Sequence, residues 1–237
     1  MRIDKFLSNM GFGSRKEVKI LLKSKAVEVN GEIVRDPKIH VHAENDEVIV
    51  GGEPVEYTEF IYLLMNKPPG VISATEDKYD QTVIDLLEDN EKHFEPFPVG
   101  RLDKDTEGFL LLTNDGKLAH ELKKKKKHVD KTYFAEVSGE VTEEDVEAFK
   151  RGVMLEDGYT TKPAHLIILK SGAVSEIELT ITEGKFHQVK RMFESVGKEV
   201  TYLKRLSMGP LELDPGIELG HYRHLTEEEL DKLKQRK

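Results

Sequence analysis

The sequence predicts an α+β fold in two parts. A small unit spans residues 1–57, with a compact basic part in residues 1–43, and a larger domain with a mixed, mainly antiparallel sheet spans 58–237. Three observations predict this. Strand-like and helix-like segments are interspersed without the regular alternation that builds a parallel sheet. An acidic stretch with Gly and Pro, "GGEPVEYTEF", separates two differently charged regions. The 237 residues, at about 100–200 per domain, hold a small and a medium domain.

The elements follow in order. Ile3, Phe6, Leu7 and Met10 recur at helical spacing, and Gly11 and Gly13 stop that helix. Ser14 reads as an N-cap with Glu17 as its capping-box partner, and Val18, Leu21 and Leu22 form one face of the helix that follows. "AVEVNGEIV" is a hairpin about an Asn-Gly turn, and "DEVIVGGEPV" adds a short strand. In the larger part, "FIYLLMNKPPGVISA" is an apolar strand running into a rigid turn, and "QTVIDLLE" reads as a short helix. "GRLDKDTEGFLLLTNDG" places an acid-rich loop directly before a buried strand. "KLAHELKKKKK" is a helix, "KTYFAEVSG" an alternating strand, and "TEEDVEAFKRGV" a helix. "SEIELTITEG" is a strand, "FHQVKRMFESVG" a helix, and "VTYLKRLSMGPLEL" a closing strand region. "TEEELDKLKQRK" is a terminal helix capped by Thr226 and Glu229. The run Lys123–Lys127 is a loop or helix end suited to touching phosphate.

Composition narrows the chemistry. With no cysteine, disulfides and thiolate metal sites are excluded, and a reducing cytoplasm is the expected compartment. Neither a signal-peptide core nor a run of about 18 apolar residues appears, so no membrane association is expected. The net charge is −9, but the bases cluster in residues 1–43, in "KLAHELKKKKKHVDK" and in "GKFHQVKRMFESVGKEVTYLKR". Basic islands on an acidic chain suit a defined polyanion-binding face, because binding follows local fields and not net charge. "GFGSRK" lacks the last glycine of a dinucleotide loop and follows no strand. No His-Glu-x-x-His or Gly-x-Ser-x-Gly is present, and His40 and His42 lie in an alternating strand region. Metal, nucleotide and serine-hydrolase readings lose support; no metal and no cofactor are expected.

The acid loop offers Asp103 and Asp105, two residues apart. A glycosidase pair would need an aromatic sugar platform, and the chain has no Trp. A single carboxylate nucleophile is the simpler reading. It needs a nearby cation to stay ionised, for which Lys190 and Arg191 are candidates, and an aromatic for a flat substrate, for which Tyr133 is the candidate.

Two resemblances sharpen this. "RIDKFLSNMGFGSRKEVKILLKSKAVEVNGEIV" resembles the alpha-L RNA-binding module first known from a ribosomal small-subunit protein. That resemblance implies that Ser14, Arg15 and Lys16 begin the helix that meets RNA. "GRLDKDTEGFLLLTNDG", "KTYFAEVSG" and "EGKFHQVKRMFESVG", in that order after such a module, resemble the ribosomal small-subunit pseudouridine synthase A family, over nearly the whole chain. The resemblance implies that Asp103 is the nucleophile, that Tyr133 stacks on the target uracil, and that Lys190 pairs with Asp103. Arg191 stays a competitor, because many relatives outside this branch carry Arg in that role. Arg101 is expected to brace the loop or hold the flipped nucleotide's phosphate. Whether Asp103 attacks the sugar or the base is open, and Phe109 stands where Leu is usual. The implied function is isomerisation of uridine to pseudouridine in 16S rRNA, at the position usually numbered 516, without a cofactor, by a cytoplasmic monomer whose partner is ribosomal RNA or a small-subunit assembly intermediate. The alternatives are a 23S rRNA enzyme, whose branch more often shows Asn-Arg-Glu-Val-Arg-Arg at the His-Gln-Val-Lys motif, and a non-catalytic RNA-binding assembly factor.

Overall fold

The computed structural model describes residues 1–123 and 129–235. All of the lysine run except Lys123 lies outside the described residues. The chain divides into two compact units, one of residues 1–61 with 88–95 and one of residues 62–87 with 96–237. The first unit therefore runs past the polar stretch that reads as a linker and takes in residues 88–95, which the sequence reading leaves in the larger domain.

In the first unit, helices α1 (Ile3–Asn9) and α2 (Arg15–Lys23) pack against a four-stranded antiparallel sheet of β1 (Val27–Val29), β2 (Glu32–Ile33), β3 (Val48–Val50) and β4 (Glu53–Pro54). Its core is Ile3, Phe6, Leu7, Val18, Leu22 and Val27, all buried. Ser14 caps α2: its backbone N–H donates to Glu17 Oε2 at 2.7 Å, and its hydroxyl accepts from Glu17 N at 3.4 Å. Asn30 and Gly31 make the β1–β2 turn with positive φ, as an Asn-Gly hairpin requires. A one-turn helix, α3 (Asp89–Lys92), also belongs to this unit, with His93 Nε2 3.0 Å from the Asn9 carbonyl.

The second unit is built on one mixed sheet. Its strands are β5 (Tyr62–Lys67), β6 (Phe97–Pro98), β7 (Glu107–Thr113), β8 (Lys131–Ser138), β9 (His165–Lys170), β10 (Val174–Ile181), β11 (Glu199–Met208), β12 (Leu211–Glu212) and β13 (Tyr222–His224). The order is β13-β5-β7-β11-β8-β10-β9, with β12 on β11 and β6 on β7. Every pairing between these strands is antiparallel except β7 with β11. The helices are α4 (Gly116–Lys123), α5 (Glu143–Arg151), α6 (Gln188–Glu194) and α7 (Glu227–Lys234). Leu64, Phe109, Leu111, Met208 and Leu211 form one buried cluster. On α5 and α6, Phe149 and Phe193 meet edge to face at 4.9 Å.

Several elements differ from the sequence expectation: α3, β6 and β13 were not foreseen, and two further cases have local causes. "QTVIDLLE" is a set of turns and not a helix. Asp85 Oδ2 accepts from both the backbone N–H and the hydroxyl of Thr82, at 2.8 and 3.0 Å. Such side-chain bonds compete with a helical backbone. The edge strand β9 was not legible, because only Leu166 of its apolar residues is buried. No helix among the described residues is long and apolar enough to cross a membrane.

Candidate active site

The acid loop, residues 99–106, joins β6 to β7 and is held mainly through its backbone. Val99 N–H donates to Leu111 O at 2.8 Å, and Gly70 N–H donates to Lys104 O at 2.7 Å. Leu102 is clipped at both ends: its N–H donates to Ser73 Oγ at 3.0 Å, and that hydroxyl donates to its carbonyl at 3.1 Å. Lys67, fully buried at the end of β5, donates to the carbonyls of Pro68, Lys104 and Thr106 at 2.9, 3.2 and 2.9 Å. Its three N–H groups therefore tie the Asn-Lys-Pro-Pro-Gly turn to the loop. Burial pushes its pKa down to about 8, against the pull of Asp105, Asp103 and Glu107. Gly108, with φ +102°, completes the packing. A Cβ there would overlap the carbonyl oxygen of Arg205, so only glycine permits this approach of β7 to β11.

The side chains at the mouth come from the start of α6. His187, its N-cap, has a left-handed backbone with φ +46°. His187 Nε2 lies 3.6 Å from Asp103 Oδ1, and Lys190 Nζ lies 3.9 Å from Asp103 Oδ2. Lys190 is closer to Asp105, donating to both carboxylate oxygens at 2.7 Å. That hydrogen bond holds Asp105 below the ordinary carboxylate range. Asp103 is the more sheltered acid, its side chain 27% exposed against 71% for Asp105. Arg191 turns elsewhere: its Nη2 meets Asp157 Oδ2 at 2.5 Å, and Nη1 donates to Phe186 O at 3.3 Å.

Asp103 lines an open cleft of about 840 Å³, and Asp105 does not. The other acid in the wall, Glu183, is occupied by Tyr159 Oη–H, Lys162 N–H and Gln188 Nε2–H at 2.6, 2.9 and 2.9 Å. Tyr133 of β8 and Arg205 of β11 also line the cleft and are directly paired across the two strands, 8% and 2% exposed. Arg101 lies exposed at the rim. A volume of this size suits a small organic group such as a nucleotide. Among the described residues no cluster of three or more His, Asp or Glu is placed to hold a metal.

Comparison with known proteins decides the family. A family model described as RNA pseudouridylate synthase matches residues 61–195, and the S4 domain model matches residues 1–48. The chain belongs to the RNA pseudouridylate synthase family. It is 58% identical over 231 residues to the uncharacterized RNA pseudouridine synthase YtzG of Bacillus subtilis (strain 168), covering 97% of each chain. It is 40% identical to ribosomal large subunit pseudouridine synthase B of the same organism, covering 98% of this chain and 95% of that one. It is 36% identical to ribosomal small subunit pseudouridine synthase A of Escherichia coli (strain K12), covering 97% and 98%. A crystal structure of a pseudouridylate synthase superposes with a TM-score of 0.69 at 35% identity, covering 98% of this chain and 99% of that one. A pseudouridine synthase is an isomerase acting on RNA, and the S4 domain supplies the second part of the architecture that the sequence predicts.

For a pseudouridine synthase, the site brings together three of the residues singled out by sequence. Asp103 and Tyr133 line one cleft, and Lys190 stands within 4 Å of Asp103. Arg191 is not at Asp103, because Asp157 engages it. Ser14, Arg15 and Lys16 are exposed in the other unit, with the Ser14 hydroxyl donating to Glu17 Oε2 at 2.7 Å. Sequence reasoning missed Lys67, His187 as a neighbour of Asp103, and Arg205. A lysine closing an apolar run before Pro-Pro-Gly was the available signal for the first. An arginine two residues after Leu203 in a strand was the signal for the last.

Proposed function

We propose that this chain isomerises one uridine of ribosomal RNA to pseudouridine, with 16S rRNA as the substrate, the position usually numbered 516 as the target, and Asp103 as the nucleophile. The observation that carries the reading is the placing of Asp103. It is the acid of its loop that lines the cleft, it has Lys190 Nζ and His187 Nε2 within 4 Å, and Tyr133 lines the same cleft. The reaction exchanges the N1–C1′ bond of uridine for a C5–C1′ bond; C5 loses a proton and N1 gains one, so no redox partner is needed. Asp103 stands beside Lys190 and His187 and is placed to form a bond to the sugar or the base. Tyr133 offers a ring face to the uracil. Stacking of this kind contributes about 1–3 kcal/mol and offsets part of the few kcal/mol needed to unstack the nucleotide.

Arg101 at the rim, and Ser14, Arg15 and Lys16 in the RNA-binding unit of residues 1–57, are assigned to RNA contact, Arg15 and Lys16 to the phosphates. Arg191 is assigned to RNA only at the rim, through the segment it steadies around Phe186. The protein acts in the cytoplasm as a monomer. The His-Gln-Val-Lys motif favours 16S rRNA. A 23S target is the second reading, favoured by the 40% identity to a protein named as a large-subunit enzyme.

The test is a pseudouridine map of 16S and 23S rRNA from cells lacking the protein, by carbodiimide-stop sequencing. Loss of the 16S site, restored by the wild-type gene, is the expected result. Loss of a 23S site moves the substrate to the large subunit. An unchanged map overturns ribosomal modification and leaves a different RNA or a non-catalytic binder.

A further inference from the structure

Among the described residues, Arg205 has a partner for only one of its donors. Its Nε donates to the Phe109 carbonyl at 2.8 Å, while Nη2, fully shielded from solvent, has no hydrogen-bond partner among the described residues. No carboxylate lies within ion-pairing distance of it among those residues, although the side chain is 2% exposed and lines the cleft. A second base shares its surroundings. Lys131, also lining the cleft, has its pKa lowered first by burial and then by Arg205. Lys131 spends its ammonium on the carbonyls of Val129 and Glu183, at 3.3 and 3.5 Å. A buried charge without a counter-ion, and a buried donor without an acceptor, are both costly, so a fold that keeps them implies an acceptor supplied from outside.

We infer that Arg205 selects the base: its unpartnered guanidinium N–H donates to the carbonyl oxygen on the edge of the uracil farthest from the sugar. The inference rests on the uridine reading of this cleft and names the group that recognises the base. Depth supports it. The sugar carbon must stay near Asp103, which is 27% exposed, while Arg205 is at the buried floor beside Tyr133. In uridine the ring atom opposite N1 is C4, so O4 points away from the sugar, toward the floor. In pseudouridine the ring atom opposite C5 is C2, so O2 takes the same place. One fixed donor therefore meets a carbonyl before and after the base turns. Cytidine would present its exocyclic amino group there, donor against donor, and arginine has no acceptor to offer.

The experiment uses the full chain and a transcript carrying the target site that the rRNA map identifies. Conversion of the uridine transcript by wild type first establishes the activity, so failure of the uridine reading shows up there and separately. Binding is then compared for transcripts with uridine, cytidine, 2-thiouridine or 4-thiouridine at the target. Wild type should bind the cytidine and 4-thiouridine forms about 10- to 100-fold more weakly than uridine, the range of a charge-assisted hydrogen bond lost to a poor or absent acceptor. Arg205→Met should bring uridine and cytidine within about threefold while keeping overall RNA affinity, and Arg205→Lys should restore part of the difference. Wild type that binds all four alike overturns the inference, whether or not the variants fold. So does an Arg205→Met protein that still rejects cytidine, or one that loses both transcripts equally, which would assign Arg205 to a phosphate.

Discussion

The floor and the mouth of the cleft are built by opposite means. On the buried side, Arg205 of the lining and Lys67 outside it are bonded only to backbone carbonyls, and Gly108 lets two strands approach until no side chain fits between them. At the mouth, Asp105, Lys190 and His187 meet through side chains that remain partly in water, and Phe186 is 76% exposed with its ring stacked on His187 at 3.8 Å. The first kind of contact sets geometry, and the second can adjust when RNA arrives. Backbone-held groups fix where Asp103 stands. Side-chain pairs in water contribute little to stability and are free to rearrange.

The largest effect should come from the floor. Gly108→Ala forces a Cβ against the Arg205 carbonyl at a left-handed φ and should cost about 3 kcal/mol. For a chain of this size that is roughly a 10 °C fall in the melting temperature. Thermal denaturation checks it, and an unchanged transition would break the contrast. Lys67→Met comes next. It leaves three loop carbonyls without a donor and should lower activity more than about 30-fold, with a smaller fall in melting temperature, because the loop and not the whole sheet is released.

Titrating Lys67 sharpens the same point. As pH rises through about 8, its ammonium becomes an amine with two N–H groups for three carbonyls, so activity should fall along an alkaline limb near that pH. The sign for stability is opposite. A lysine whose pKa is lowered on folding, from 10.5 to about 8, gives up its proton first in the folded chain. Its penalty is fully present below about pH 8 and is relieved as pH rises toward 10.5. Rate and melting temperature measured together across the limb should therefore diverge for wild type, and the limb should disappear in Lys67→Arg. The smallest effect belongs to the mouth. Asp105→Asn removes the closest partner of Lys190, should shift the melting temperature by less than about 2 °C, and should alter turnover only a few-fold. A loss of a hundredfold there would put the mouth among the fixed parts.

Much of this was legible in the sequence because its motifs mark positions where the backbone has no alternative. The Asn-Gly turn, the Ser14–Glu17 cap and the Asp103 loop before "FLLL" each specify local geometry. "QTVIDLLE" misled because Asp85 ties itself to Thr82, a local choice that helical periodicity does not register. Lys190 and Arg191 could not be separated by spacing alone. One residue of helix rotates the side chain by about 100°, and only the structure shows that this turn sends Arg191 to Asp157. Arg205 was hidden for a different reason. A base within "YLKRL" reads as surface, and its place on the buried face appears only when β11 is set against β8.

We propose Asp103 as the nucleophile, and not the Asp105 that Lys190 holds more closely. The direct measurement is single-turnover tritium release from rRNA labelled at C5 of uridine and purified from cells lacking the protein, with Asp103→Asn and Asp105→Asn run side by side. Release should slow at least about 1,000-fold with Asp103→Asn, with its melting temperature unchanged, and only a few-fold with Asp105→Asn. Abolished release with Asp105→Asn and near-normal release with Asp103→Asn would contradict it.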